Sequence, residues 1–105
     1  MFAPTPSPPY YAVIFTSLMS NDTTGYEEMS ERMMILASQQ AGFLGIESVR
    51  DRLGITISYW KDKQSILEWK KNIEHQLARK YGKERWYKRF EVRIARVERA
   101  YSFGE

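Results

Sequence analysis

Gly54-Ile55-Thr56-Ile57-Ser58-Tyr59-Trp60-Lys61-Asp62-Lys63-Gln64-Ser65-Ile66-Leu67-Glu68-Trp69 reads as a strand that runs directly into a helix. Ile55, Ile57 and Tyr59 alternate with Thr56 and Ser58, the two-residue period of a strand with unlike faces. Asp62 stands where a side-chain oxygen can accept from the free N–H groups of a first helical turn. Ile66, Trp69, Ile73 and Leu77 then follow at helical spacing. Trp60 and Trp69 bracket the junction. A helix side chain leans back toward the N-terminus, so Trp69 should line an apolar pocket between sheet and helix, reached by Tyr59 or Trp60.

Downstream, Asn72 is a poor helix-interior residue and a good cap, so a new helix can start near Ile73. On an unbroken helix His75 would face solvent; a break at Asn72 turns it inward. Gly82 is expected to end the helical region, with one further turn over Lys83–Trp86. Tyr87 to about Arg99 reads as the last strand. Phe90, Val92 and Ile94 share one phase, and Ala95 and Val97 the other, which predicts a bulge between them.

Upstream, Phe43–Arg50 pairs with the strand ending at Trp60 as a hairpin, and Gly45 marks a bulge or a close approach. Thr24 and Glu27 match a capping box for a helix to about Gln40, which Gly42 ends in the left-handed conformation. Its buried stripe is Tyr26, Met29, Met33, Leu36 and Ala37, with Met34 and Ile35 left over for a second subunit. Tyr10–Leu18 is a strand apolar on both phases, so both its faces need cover. All four prolines fall before Tyr10, which predicts an extended, mobile tail over residues 1–9 ahead of one domain, 10–105.

The resulting order is strand, helix, strand, strand, helix, strand: an α+β, ferredoxin-like βαββαβ unit with an antiparallel sheet and both helices on one face. A second copy packed sheet against sheet is the economical cover for the other face, so the expected assembly is a homodimer.

Composition narrows the chemistry. At 105 residues the chain is one domain, and with no cysteine it has neither disulfides nor thiolate ligands, which fits a cytoplasmic protein. No signal peptide and no membrane span are expected. Charge is uneven, three basic and six acidic residues up to Arg52 and thirteen basic and seven acidic after it. The basic residues are interleaved with acids, the pattern of a solvated face. RNA-binding modules share this strand order but carry a Lys/Arg-Gly-aromatic pattern on the third strand, which Gly54–Trp60 lacks; no nucleic-acid partner is expected. Nor is there a Gly-rich nucleotide loop, a Ser-His-Asp order or an acidic metal cluster.

Gly42-Phe43-Leu44-Gly45-Ile46-Glu47-Ser48, Gly54–Trp60, Trp69, His75 and the Gly82…Trp86-Tyr87 pattern together resemble the antibiotic biosynthesis monooxygenase domain family, over about Tyr10 to Tyr101. The resemblance implies a dimeric α+β barrel. It is less specific for chemistry, because the family spans cofactor-independent quinone-forming monooxygenases, haem-degrading enzymes and members of no assigned activity. Trp69 matches the family's helix tryptophan. Arg79 stands where haem-degrading members have a ligating His, and Tyr10–Leu18 contains no Asn, so haem is not an expected cofactor.

A cofactor-independent oxygenation of a phenol needs a dry aromatic pocket, a base and polar groups for the developing anion. Tyr59, Trp60, Trp69, Trp86 and Tyr87 are candidate substrate-binding residues, His75 the candidate catalytic base and Arg79 the counter-charge. No metal and no organic cofactor is called for. The competing reading is a dimer that binds or senses a small aromatic molecule without transforming it, with the aromatics serving as core.

Overall fold

The computed structural model describes residues 2–104, apart from the side chain of Ile73, whose expected place in the apolar stripe therefore lies outside the described residues. Strand β1 (Tyr10–Met19) is followed by α1 (Tyr26–Ser38), the hairpin β2 (Phe43–Arg50) and β3 (Leu53–Trp60), the helices α2 (Lys63–Lys71) and α3 (Ile73–Tyr81), a π-helical turn (Gly82–Trp86) and β4 (Tyr87–Val97). The sheet is antiparallel with order β2-β3-β1-β4, and the chain is α+β and ferredoxin-like as the strand and helix periods required.

Local chemistry explains most element boundaries, with three departures from expectation. Helix α1 starts at a left-handed Gly25, φ +80°, rather than at a Thr24–Glu27 capping box. Thr24 is engaged instead through its carbonyl, which accepts from Trp86 Nε1 at 2.8 Å. Gly42 is not left-handed. It is needed for close approach, since a Cβ there would stand 1.9 Å from Ser65 Oγ at the start of α2. Gly82 closes α3 but stays in the right-handed helical region, so the further turn expected after it is present as a π-helical turn, with Gly82 packed on the Tyr87 ring. The bulge expected within β4 is absent. Val13 pairs with Ile94 and Ala12 with Ala95 in continuous register, and the shift falls at the start of the strand, opposite Leu18/Met19. Ala95 and Val97 are thus the strand's other face. The bulge at Gly45 is present, between Phe43 and Gly45.

The break at Asn72 is present as well. Asn72 Oδ1 accepts from the N–H groups of Glu74 and His75 at 3.0 and 3.2 Å and caps α3. Asp62 caps α2, its Oδ1 accepting from Ser65 N at 2.8 Å.

The helices cover one face of the sheet. Its closed corner holds Ala37, Trp60 and Ile66, with Tyr11, Val13, Phe43 and Trp69 packed around them. Ile14, Ile55 and Ile57 lie on the opposite, back face, where Ile14 pairs with Ile57 and Thr16 with Ile55. The segment read as a mobile tail meets this back face. Ala3 N donates to Glu47 Oε2 at 2.9 Å, and a Cβ on Gly45 would stand 2.7 Å from Ala3 Cβ.

Candidate functional site

A cavity of about 430 Å³ lies between the sheet and the helices, a size suited to a small aromatic molecule. Three helical faces line it. Tyr26, Met29, Met33 and Met34 come from α1, Ile66, Trp69 and Lys70 from α2, and His75, Ala78 and Arg79 from α3, each set at three- and four-residue spacing. The turn after α3 continues that face through Gly82, Lys83 and Trp86. Met34, read as an outward residue, lines the cavity and is half-exposed.

The floor is polar where β2 and β3 supply it. Thr56 and Ser58 face the helices, so the polar phase of β3 is under the cavity and its apolar phase points away. Ser48 Oγ and Thr56 Oγ1 are 2.7 Å apart, a hydrogen-bonded cross-strand pair. Phe15, Phe90, Val92 and Ile94 from β1 and β4 complete the floor.

Six of the seven residues singled out from the sequence line this cavity: Trp60, Trp69, His75, Arg79, Trp86 and Tyr87. Tyr59 does not. It follows Ile57 on the back face, donates to Glu47 Oε1 at 2.8 Å and packs edge-on against Tyr10. Adjacent strand residues point to opposite faces, so Trp60 could line the cavity only with Tyr59 outside it. Burial first, and then the bond to Glu47, push the Tyr59 phenol up to about 12.

The aromatic residues form two walls. On one side Trp60 stacks on Trp69 at 6.1 Å, and Trp69 stacks on His75 at 4.4 Å with the planes 14° apart. On the other, Tyr87 packs edge-on against Phe15, Tyr26 and Phe90, at 5.2 to 5.9 Å. Two of the tryptophans have their N–H groups engaged within the protein, Trp60 with Ser58 Oγ at 2.9 Å and Trp86 with the Thr24 carbonyl. Trp69 makes no such bond among the described residues, so its ring is the least tied of the three.

His75 is the one titratable base with a defined orientation here. Its Nδ1 lies 2.9 Å from the carbonyl oxygen of Trp69. A carbonyl can only accept, so Nδ1 carries the proton and Nε2 keeps its lone pair. Burial pulls the imidazole below its ordinary value; the Trp69 carbonyl works against that, and Arg79 and Lys70 add to it. The ring is therefore neutral near pH 7, with Nε2 available as an acceptor. Tyr87 is shifted the other way. Burial raises its phenol, the neighbouring Tyr26 adds to the rise, and it remains a proton donor. No group of three or more His, Cys, Asp or Glu is arranged to hold a metal ion among the described residues.

Comparison with known proteins fits this geometry. No family model matches the chain. The uncharacterized protein YqjZ of Bacillus subtilis (strain 168) is 52% identical over 103 residues, which span 96% of this chain and 90% of YqjZ. The chain belongs to the YqjZ family. Solved structures carry the fold further than sequence does. A variant of SnoaB, a cofactor-independent oxygenase from Streptomyces nogalater, superposes with a TM-score of 0.74 at 10% identity, covering 87% of this chain and 95% of SnoaB. Rv0793 of Mycobacterium tuberculosis gives 0.77 at 11%, covering 89% and 99%. A Nitrosomonas europaea protein assigned provisionally to the antibiotic biosynthesis monooxygenases gives 0.71 at 9%, covering 89% and 93%. The family resemblance read from Gly42–Ser48, Gly54–Trp60 and Trp69 thus holds at the level of the fold, which this chain shares with antibiotic biosynthesis monooxygenase-type proteins. No helix among the described residues is long and apolar enough to cross a membrane.

Proposed function

We propose that the chain binds a small, flat phenolic compound in this cavity and oxygenates it with O2, using neither a metal nor an organic cofactor. The observation that carries the reading is His75, stacked on Trp69 and bonded through Nδ1, so that Nε2 is left as a base beside an aromatic cavity. SnoaB, a cofactor-independent oxygenase of the same fold, supports it by analogy of architecture.

In this reading Nε2 takes the proton of a phenolic hydroxyl, and Arg79 faces the negative charge left on the substrate. The electron-rich ring carbon forms a bond to O2. Loss of its own proton and of water then leaves a quinone. One oxygen atom stays in the ring product and the other leaves as water. The substrate supplies all the electrons O2 takes up, so no outside reductant enters. Tyr87, held protonated, donates a hydrogen bond rather than abstracting a proton.

Metal-free, flavin-free protein given hydroquinone under 18O2 should consume oxygen and place one labelled atom in the product. His75→Gln should lower that rate about a hundredfold, the low end for loss of a general base, while hydroquinone still binds. Binding without uptake would favour the second reading, a non-catalytic binder. The stacked Trp60–Trp69 wall and the methionines of α1 serve that reading equally well.

We further propose that the functional unit is a homodimer joined through the back face. Ile14, Ile55 and Ile57 lie there, Val49 is 70% exposed, and the terminal Tyr101 and Phe103 are bare. Arg93 and Glu91 alternate along the edge strand β4, which an isologous pairing can match. Sedimentation at micromolar concentration should give twice the chain mass; a monomer at every concentration would refute the dimer.

A further inference from the structure

The cavity is lined by three basic residues, Lys70, Arg79 and Lys83, and by no aspartate or glutamate among the described residues. Five arginines elsewhere are paired with acids among the described residues. Arg32 is paired with Glu74, Arg85 with Asp22, Arg89 and Arg93 with Glu91, and Arg96 with Glu98. Lys70, Arg79 and Lys83 have no acidic partner among the described residues, and they are the charged residues that face the cavity. Arg79 lies one turn beyond His75 on α3 and Lys83 follows in the π-helical turn, so both approach the cavity that His75 lines. Like charges gathered on one cavity repel, and no carboxylate among the described residues lines it to offset that. A phenol ionised during reaction supplies a transient charge. It does not account for three basic residues gathered on the cavity.

We propose that the molecule taken into this cavity is an aromatic acid, a flat hydroxylated ring that also bears a carboxylate. The ring lies along the Trp69–His75 stack, and the carboxylate sits at the Arg79–Lys83 end. Arg79 presents the planar fork that matches a carboxylate with two parallel hydrogen bonds. Lys83 adds a point charge, and Lys70 contributes from α2. This assignment rests on the reading of the cavity as a binding site for a phenol, and it adds the fixed charge that selects among phenols.

Two probes of nearly the same shape isolate that charge. Hydroquinone and 2,5-dihydroxybenzoate are titrated anaerobically by calorimetry into the wild-type protein and into Arg79→Gln and Lys83→Gln, each variant checked for fold by circular dichroism. The carboxylate should bind at least about tenfold more tightly than hydroquinone, the contribution of one charge-assisted hydrogen bond. Each substitution should narrow that gap, and added salt should narrow it in the wild type. Equal affinity for the two probes overturns the aromatic acid and leaves the phenol site standing. A gap that neither substitution changes also overturns it, since the selectivity would then lie elsewhere. Failure of both probes to bind refutes the aromatic acid together with the phenol site.

Discussion

Between the sheet and its helices, the corner at Trp60 and the end at Tyr87 are built from similar residues and packed in opposite ways. At the corner Trp60 is fully buried, edge-on to Phe43 and stacked on Trp69, with its N–H bonded to Ser58. Gly42 lets the first turn of α2 come against the loop before β2, and Asp62 fixes that turn. At the other end Val92 and Ile94 are about half exposed on β4, at the floor of the cavity. The break at Asn72 starts α3 in a new direction, and Arg32 and Glu74 tie it to α1. The corner is thus packed shut, while the β4 side of the layer, beyond the buried Trp86, stays open to hold a ligand.

Trp60→Ala tests that contrast most severely. Loss of a fully buried tryptophan should cost about 3–5 kcal/mol, read as a lower denaturant midpoint. Phe90→Ala, in a wall already open, should cost much less. Equal losses would mean that the two ends are not differently packed.

A smaller effect is expected from Asn72→Ala, which removes two cap hydrogen bonds and should cost about 1 kcal/mol. It also favours one continuous helix, which would carry His75 out of reach of the Trp69 carbonyl. The imidazole resonances should then move toward those of an exposed histidine. An unchanged His75 environment would show that the cap does not set its orientation.

The smallest effect concerns pH. Burial holds His75 below its ordinary 6.5 in the folded chain, so the unfolded chain takes up the proton first as pH falls through that value. The contribution of His75 is full above 6.5, declines below it, and levels off beneath the folded-state value. Denaturant midpoints at about pH 8 and about pH 5.5 should therefore differ more in the wild type than in His75→Gln. Identical differences would place His75 in solvent.

Much of this was legible in the chain. Periodicity marked every strand and helix, and Asp62 and Asn72 announced their caps because short polar side chains compete for helix N–H groups wherever they stand. The Asn72 break carried most for function, since it is what turns His75 from solvent to the Trp69 ring. One glycine was located but given the wrong reason: Gly42 is required by a neighbour distant in sequence, Ser65, rather than by its own torsion angles. The charge of the cavity was hidden for a similar reason. Lys70, Arg79 and Lys83 alternate with acids along the chain, and only the helical turn sorts the cations to one face.

The face of β3 that turns inward was decided by packing alone. Its alternation established two unlike faces, and any helix-covered sheet would ordinarily place Ile55 and Ile57 beneath the helices. The register with β1 does the reverse, putting Trp60 opposite Tyr11 under α2 and Thr56 and Ser58 under the cavity. One large indole at the end of the strand fixes the phase of every residue before it, because a slip of one residue would expose Trp60 and bury Tyr59 with its glutamate partner. Local periodicity therefore settled which residues share a face. Which face meets the helices depended on the fit of Trp60 against Phe43, Ile66 and Trp69, residues that only the folded chain brings together.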